Sequence, residues 1–261
     1  MLKLATWNVN SIRIRLALLE KLAKDEAVDV VCVQEVKAKE EDFPFEEIKK
    51  LGFEYIALYG MAGYNGVAIL SKLPLENVKK YDHVGKNDAR HIAAEVKGIE
   101  IHNIYIPAGG DVPDIKANPS FLHKLNFVDE LADFFEKKPG KKLLLCGDFN
   151  IAPSENDVWS HKALLQTVSH TPIEVEKLEN FFQKGSFIDA VRNIYNEPQK
   201  IYSWWSYRNP NWQTNDKGRR LDHIWVSKNL ISCINDIKIR KDFRAFERPS
   251  DHVPIVVSLE L

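Results

Sequence analysis

The chain has 261 residues, and its 36 Lys and Arg residues against 37 Asp and Glu residues give a formal net charge of −1. Hydrophobic residues make up 44% and aromatic residues 10% of the sequence, which supports a large core and excludes an intrinsically disordered chain. The near-zero charge excludes a uniformly basic, histone-like protein, but not a locally basic surface that contacts nucleic acid.

The predicted elements alternate between short β-branched runs and helical patterns, as in an α/β fold. In chain order the pattern predicts a strand at 2–7, a helix at 15–24, a strand at 28–34, a helix at 45–50, strands at 55–58, 67–70, 92–96 and 99–105, a helix at 119–138, and strands at 142–146, 221–227 and 253–259. No low-complexity linker interrupts them, so we expect one domain over residues 1–261.

Cysteine usage and hydropathy indicate the compartment. The three cysteines, Cys32, Cys146 and Cys233, form no C-x-x-C pair, which argues against a disulfide framework and favours a reducing environment. The sequence shows no secretory signal, and no segment approaches the ~18 apolar residues of a membrane span. We therefore expect a soluble, cytoplasmic protein without a membrane partner, and a monomer by default.

Polar residues capable of chemistry follow the apolar runs at five separated places: Asn8, Glu35, the pair Asp148 and Asn150, Asp222, and the pair Asp251 and His252. Each residue alone is more simply explained by turn or capping chemistry. As a set they combine the hard oxygen ligands that Mg²⁺ prefers with a histidine flanked by acids. The apolar runs 30–35 and 143–148 both end in a carboxylate, as expected if two packed sheets deliver acids to one edge. The set indicates phosphodiester hydrolysis.

The same segments, taken in order, carry a resemblance to a known family. They are WNVNSIR at 7–13, QEVK at 34–37, GYNGVA at 63–68, GDFN at 147–150, YSWW at 202–205, LD at 221–222 and SDH at 250–252. From residue 5 to residue 257 the chain resembles the exonuclease III and abasic-site (AP) endonuclease branch of the endonuclease/exonuclease/phosphatase superfamily. The resemblance implies an α/β four-layer sandwich of two packed β-sheets flanked by helices, with the active site at one edge of the sheets.

The resemblance also implies a metal site. Glu35 would be the principal carboxylate ligand of Mg²⁺, with Mn²⁺ as a plausible substitute, and Asn8 and Asp251 would lie nearby. Lys37 would support this region, and Asn10 belongs to the same substrate-binding segment. Lys37 lies in a charged stretch, 37–42, whose remainder is expected to be a solvated surface.

The remaining roles concern the phosphate. Asp148 would position or deprotonate the attacking water, and Asn150 would hydrogen-bond that water or the phosphate. His252, held by Asp222, would donate to a non-bridging phosphate oxygen, and Tyr105 would lie near the phosphate and the leaving group. Asp148, Asn150 and His252 could instead bind a second metal ion, so the sequence leaves one-metal and two-metal versions open.

Substrate choice is indicated by the C-terminal region. Residues 200–261 contain 11 Lys and Arg residues against 7 Asp and Glu residues, a local excess of +4 that suits a DNA backbone. Strand alternation places Trp204 and Trp205 on opposite faces, so one is expected in the core and the other in a pocket. The resemblance selects Trp204, with Leu221, as the wall of a pocket for a baseless sugar. Without the motif, core packing would be the better explanation of these aromatic residues.

Two positions depart from the family pattern. Ala108 follows Tyr105-Ile106-Pro107, where many relatives have Asn, unless Asn103 or Asn118 substitutes for it. Arg219 stands two residues before the Leu-Asp pair, where some relatives have an aromatic residue, and we include it among the substrate-binding residues.

The predicted activity is therefore Mg²⁺-dependent incision of double-stranded DNA 5′ to abasic sites, leaving a 3′-hydroxyl, with trimming of duplex 3′ ends. One alternative keeps the fold but changes the substrate to RNA or to a phosphoinositide or phospholipid headgroup. Another is a DNA-binding module without catalysis, which would require a broken ligand set.

Overall fold

The computed structural model describes residues 1–261. Its strands are β1 Leu2–Asn8, β2 Val30–Gln34, β3 Tyr55–Tyr59, β4 Val67–Ser71, β5 Glu76–Tyr81, β6 His91–Val96, β7 Ile99–Tyr105, β8 Leu143–Asp148, β9 Phe187–Asp189, β10 Asp222–Ser227, β11 Ile234–Ile239 and β12 Ile255–Leu259. Its helices are α1 Leu16–Glu26, α2 Phe45–Lys50, α3 Pro119–Glu136, α4 His161–Leu164, α5 Pro172–Lys184, α6 Ala190–Ile194 and α7 Trp212–Asn215.

The strands form two six-stranded sheets. The first has the order β11-β12-β1-β2-β4-β3 and the second the order β5-β6-β7-β8-β10-β9. Buried side chains from both sheets form one core cluster between them, and two further clusters lie on the outer faces. The outer cluster of the first sheet includes α1 and α2, and that of the second includes α3 and α5. This layering confirms the predicted four-layer sandwich.

The strand directions bring the segments with the predicted site residues to one edge of the sheets. β1 and β2 run parallel, as do β7 and β8, so the carboxyl ends of each pair lie together. β12 is antiparallel to β1 and β10 is antiparallel to β8, so their first residues lie at the same ends. Five segments far apart in sequence therefore meet where strands β1, β2, β7 and β8 finish.

A buried amide pair links the two sheets. The Nε2 of Gln34, on β2, donates to the Oδ1 of Asn103, on β7, over 2.7 Å. The Nδ2 of Asn103 in turn donates to the carbonyls of Val33 and Ala68 in the first sheet, at 3.0 and 2.8 Å. Both side chains are fully buried, so these bonds replace the water that the amides would otherwise require.

Each predicted strand is present, with ends shifted by a residue or two, but the sequence interpretation missed β5, β9, β11, helix α5 and the short helices α4, α6 and α7. Strand β5 lies at a sheet edge and its side chains are mostly exposed, so it lacks the apolar alternation that marks a half-buried strand. Helix α5 does carry a readable start, because Thr171 and Glu174 form a capping box around Pro172. No helix of the structure combines the length and apolar character needed to cross a membrane.

Candidate active site

The loop after β2 presents Glu35 in an unusual backbone conformation. Its φ of +52° lies in the left-handed region, which costs a residue other than glycine about 1–2 kcal/mol and is concentrated at functional sites. The Oε1 of Glu35 accepts hydrogen bonds from Asn8 at 2.9 Å and from the Tyr105 hydroxyl at 2.8 Å. Its Oε2 lies 2.8 Å from the Lys37 ammonium. Burial alone would raise the pKa of Glu35, but the bonds from Asn8, Lys37 and Tyr105 lower it, so the carboxylate is ionised.

Asn8, the last residue of β1, joins the two sheets at the site. Its Nδ2 donates to Glu35 and to the Oδ2 of Asp148, both at 2.9 Å. Asp148 also accepts bonds from the backbone N–H and the Nδ2 of Asn150, at 2.9 and 3.1 Å. Burial is the largest influence on Asp148 and raises its pKa to about 7, against the lowering effect of the His252 cation.

Asp148 can occupy its position at the end of β8 only because the preceding residue, Gly147, has no side chain. Gly147 has a φ of +139°, and a Cβ at this position would lie 1.9 Å from the carbonyl oxygen of Ile104 on β7. Strands β7 and β8 therefore approach too closely for a side chain there. The glycine of the GDFN motif is explained by this packing.

His252 lies between two acids. Its Nδ1 donates to the Oδ2 of Asp222 over 2.8 Å, and its Nε2 lies 3.5 Å from the Oδ2 of Asp148. Burial lowers the pKa of His252, but the charges of Asp222 and Asp148 outweigh it and raise the pKa to about 10. Ligand atoms of Asp148, Asp222 and His252 lie within 4.8 Å of one another, but a cationic imidazole cannot ligate a metal ion. The geometry favours a hydrogen-bonded triad.

A second set of hydrogen bonds runs from Lys37, beside Glu35, towards Trp204. Lys37 donates to the Oδ1 of Asn10 at 2.5 Å, and the Nδ2 of Asn10 donates to the Oδ1 of Asp251 at 3.2 Å. The indole N–H of Trp204 donates to the other oxygen of Asp251 at 3.0 Å. The structure therefore brings Asn10 and Lys37 to the same site as the residues that follow the five apolar runs, Asp251 among them.

The pocket is a cavity of about 480 Å³ next to the triad, large enough for a sugar. It is lined by Trp204, Leu221, Arg219 and Val168, together with Glu35, Tyr105, Asn150, Asp251 and His252. Trp205 is completely buried, so the two tryptophans face opposite ways as the alternation predicts.

The structure neutralises much of the C-terminal charge excess away from this cavity. Arg220 is buried against Asp157 and Asp189, and Arg240 is bound by Asp25, Glu26 and Asp242. Of the 11 basic residues counted in the region, Arg208 and Arg219 line the pocket. The charge count alone therefore overstated the basic surface at the site.

Neither asparagine proposed as a substitute at Ala108 serves the site. Asn103 lies between the sheets, as described above, and Asn118 caps helix α3 by accepting from the backbone N–H groups of Ser120 and Phe121. Ala108 itself lines the pocket and offers no amide there. This position is a genuine departure from the family pattern.

Three supporting side chains were missed. Arg90 stacks on the Tyr105 ring, with its Cζ 4.7 Å from the ring centroid. Lys124 and Glu174 form a fully buried ion pair at 2.5 Å, and Lys124 also donates to the carbonyls of Ala108 and Asn150 at 3.2 and 2.8 Å. No motif marked these residues, because the position of Arg90 depends on the pairing of its backbone with Tyr105, and the roles of Lys124 and Glu174 depend on how helices α3 and α5 pack against the site loops.

The donor set around Glu35 fits a hard divalent cation. The carboxylate is ionised and its side chain is 19% exposed towards the pocket, and the Asp251 carboxylate belongs to the same hydrogen-bonded cluster. The Nδ2 of Asn8 faces Glu35, and its Oδ1 accepts from the backbone N–H of Asn10, so Asn8 lies beside the carboxylate as a hydrogen-bond donor. Oxygen donors of this kind suit Mg²⁺ or Mn²⁺ and not a thiolate-bound metal. The two cysteines of the core, Cys32 and Cys146, are buried and free.

Comparison with known proteins gives the same assignment. Residues 5–252 match the model of the Endonuclease/Exonuclease/phosphatase family. The chain is 31% identical to exodeoxyribonuclease III of Haemophilus influenzae, with 97% of this chain and 98% of the relative covered. It is 28% identical to an exodeoxyribonuclease of Bacillus subtilis over the full length of both proteins.

Solved structures agree in fold over the full length of both chains. An AP endonuclease from Archaeoglobus fulgidus and a 3′ phosphatase from Neisseria, the latter bound to a product DNA hairpin, each superpose with a TM-score of 0.93 at 30% identity. The motif order, the fold and the site geometry lead to one conclusion: the chain belongs to the endonuclease/exonuclease/phosphatase family, whose nucleases depend on a metal ion.

Proposed function

We propose that this protein is a Mg²⁺-dependent DNA-repair nuclease that incises duplex DNA 5′ to abasic sites and cleans 3′ ends. The observation that carries the proposal is the connected cluster Glu35–Asn8–Asp148 with the His252–Asp222 pair, adjoining a pocket walled by Trp204. Relatives that are named exodeoxyribonuclease, AP endonuclease and 3′ phosphatase support the nuclease class.

The chain's own groups divide the chemistry. Asp148, with its raised pKa, accepts the proton of the attacking water, and Asn150 orients that water. The imidazolium of His252 donates to a non-bridging phosphate oxygen, and Asp222 keeps it charged and correctly oriented. Tyr105 stays a neutral phenol, because burial and the charges of Glu35 and Asp148 raise its pKa well above the ordinary value.

Glu35 would hold Mg²⁺, with Asn8 and Asp251 beside it, and the ion would supply positive charge for the phosphate oxygens. We assign one ion to this side of the site. A second ion at Asp148, Asn150 and His252 is the alternative, and titration calorimetry with Mn²⁺ measures the stoichiometry that separates the two.

The pocket accounts for lesion selectivity. We assign a flipped abasic sugar to the wall formed by Trp204 and Leu221, because extruding a nucleotide costs least where its base and its stacking are already lost. The intact ligand set argues against a binding module without catalysis. Cleavage of RNA or of a phospholipid headgroup is the remaining alternative, and both substrates belong in the same assay.

The test is incision of a duplex that contains one abasic analogue, with Mg²⁺ and then with excess chelator. Wild type is expected to yield a single product with a 3′-hydroxyl, and chelator abolishes the activity. Asp148→Asn is expected to lose at least about a hundredfold in rate, whereas Asp236→Asn, a matched change on exposed strand β11, retains it. Full activity of Asp148→Asn would contradict the mechanism, and hydrolysis of RNA or lipid without DNA cleavage would contradict the substrate.

A further inference from the structure

The substrate pocket carries a cation in its wall. Arg219 and Trp204 exchange backbone hydrogen bonds at 3.0 Å in both directions, so their side chains are neighbours on one face. The Arg219 guanidinium lies over the Trp204 ring, with its Cζ 5.2 Å from the centroid. Its Nη1 donates to the Val168 carbonyl at 3.1 Å and to the Ser169 hydroxyl at 2.8 Å. The charge is therefore held in a fixed position at the pocket.

This cation has no anionic partner. No carboxylate forms an ion pair with Arg219, and its buried Nε makes no hydrogen bond. Glu174 is the acid whose charge acts on it, but Glu174 is already paired with Lys124 at 2.5 Å. Arg208, in the same lining, has no ion pair either. A half-buried guanidinium without a counter-charge is costly unless a ligand supplies one.

The acids of the cavity do not fill that role. Glu35 is bound by Lys37 and Asp251 is bound by Trp204, and the exposed Asp111 forms no ion pair. A neutral abasic sugar would leave the Arg219 charge uncompensated, whereas a carboxylate would accept charge-assisted hydrogen bonds from it.

We propose that Arg219 makes this pocket selective for sugar remnants that carry a carboxylate, such as the two-carbon acid left on a 3′-phosphate when deoxyribose is oxidised. The inference rests on the proposed nuclease function. Water attacks the phosphorus, the bond from phosphorus to the strand's O3′ breaks, and O3′ leaves as a hydroxyl. The fragment departs as a phosphorylated hydroxy acid, with its carboxylate unchanged.

The experiment compares two duplexes that differ in one group. One has a 3′-phosphoglycolate end, and the other has a 3′-(2-hydroxyethyl) phosphate end, which replaces the carboxylate with a neutral hydroxymethyl group. Wild type is expected to release the charged fragment at least about tenfold faster in kcat/KM. In Arg219→Gln, the ratio of kcat/KM for the charged end to kcat/KM for the neutral end should fall close to one. Arg219→Lys should retain part of this preference, because the charge remains without the planar guanidinium. A wild-type ratio of one, or an unchanged ratio in Arg219→Gln, overturns the inference.

Two further arms separate the outcomes. An internal abasic analogue in a continuous strand carries a downstream phosphate, so a loss confined to that substrate assigns Arg219 to the strand backbone and overturns the proposal. If wild type cleaves no DNA, the proposed function fails. The inference is then decided by measuring the binding of the two duplexes in EDTA. Wild type should prefer the charged end several-fold, and Arg219→Gln should abolish that preference. Thermal melting checks that each variant is folded. Ser169→Ala removes one hydrogen-bond partner of Arg219 but not its charge, so it should lower the preference for the charged end.

Discussion

Acid should destabilise this protein through a row of buried histidines. His83, His91 and His102 form a hydrogen-bonded chain, with ring nitrogens 2.8 Å apart at both links, and His102 continues to Glu100 at 3.1 Å. Burial lowers the pKa of all three histidines, and that of His102 falls from 6.5 to about 4. The folded chain therefore keeps these rings neutral at a pH where the unfolded chain protonates them.

The size of the effect follows from His102. The contribution of neutral His102 to the free energy of unfolding is fully present well above pH 6.5. It is lost as the pH falls from 6.5 towards about 4, the pKa of His102 in the folded protein. At pH 5.0, about 1.5 units below the ordinary pKa, this residue alone removes about 2 kcal/mol from the free energy of unfolding. His91 and His83 add to the loss with the same sign. His223, buried behind the site with a pKa of about 4, adds about the same amount as His102.

The assay is urea unfolding at pH 7.5 and pH 5.0 for wild type, His102→Gln and His161→Gln. His102→Gln is expected to be less stable at pH 7.5 but to lose about 2 kcal/mol less than wild type on acidification. His161, which is exposed and bonded to His170 outside this chain of three, serves as the control and should recover a much smaller part of the acid-dependent loss than His102→Gln. An identical loss in wild type and His102→Gln would refute the reasoning, as would a His102 ring signal that titrates near pH 6.5 by NMR.

Other changes test the site and its supports. Asn8→Asp places a third acid between two carboxylates and should reduce kcat on an abasic duplex roughly a hundredfold, while the protein stays folded by circular dichroism. Lys124→Met leaves Glu174 buried without its cation and should lower the free energy of unfolding, measured in urea, by about 3–5 kcal/mol. Adding Glu174→Gln should recover part of this loss, and no recovery would contradict the charge argument. Trp204→Phe keeps an aromatic wall but removes the bond to Asp251, so Mn²⁺ affinity measured by calorimetry should fall about tenfold, and an unchanged affinity would show that the indole does not support the metal site.

The fold was predictable where hydrophobic periodicity was strong. The buried strands β1, β2, β7 and β8 read directly from their apolar runs, and the family assignment based on the motifs is confirmed. Strand β5 was not predictable from periodicity, because its stability comes from pairing with β6 and not from a buried face. Helix α5 was missed although its capping box was visible in the sequence.

The motifs selected residues that the fold brings together, but the sequence did not reveal how they are connected, and their catalytic and metal-binding roles stay predictions. The motifs selected Glu35, Asp148 and His252, but the role of Asn8 as a bridge between two carboxylates depends on the distance between two sheets. The histidine chain also depends on the register of β6 and β7. His91 pairs with Ile104 and His102 pairs with Ala93, so the two histidines are diagonal neighbours and not directly opposite each other. Single-domain organisation, the monomeric state and the cytoplasmic location stay predictions.

The amides of Gln34 and Asn103 have a mechanical consequence. Asn8 ends a strand of one sheet and Glu35 follows another, whereas Asp148 ends a strand of the other sheet, so any sliding of the sheets would separate these hydrogen-bonded side chains. Such a shift would strand several amide donors without water, at about 1–3 kcal/mol for each. The amide hydrogen bonds therefore oppose sliding of the two sheets at the interface next to the candidate active site. For the proposed DNA substrate, we therefore expect the conformational change on binding to occur in the nucleic acid and not as a relative movement of the two sheets.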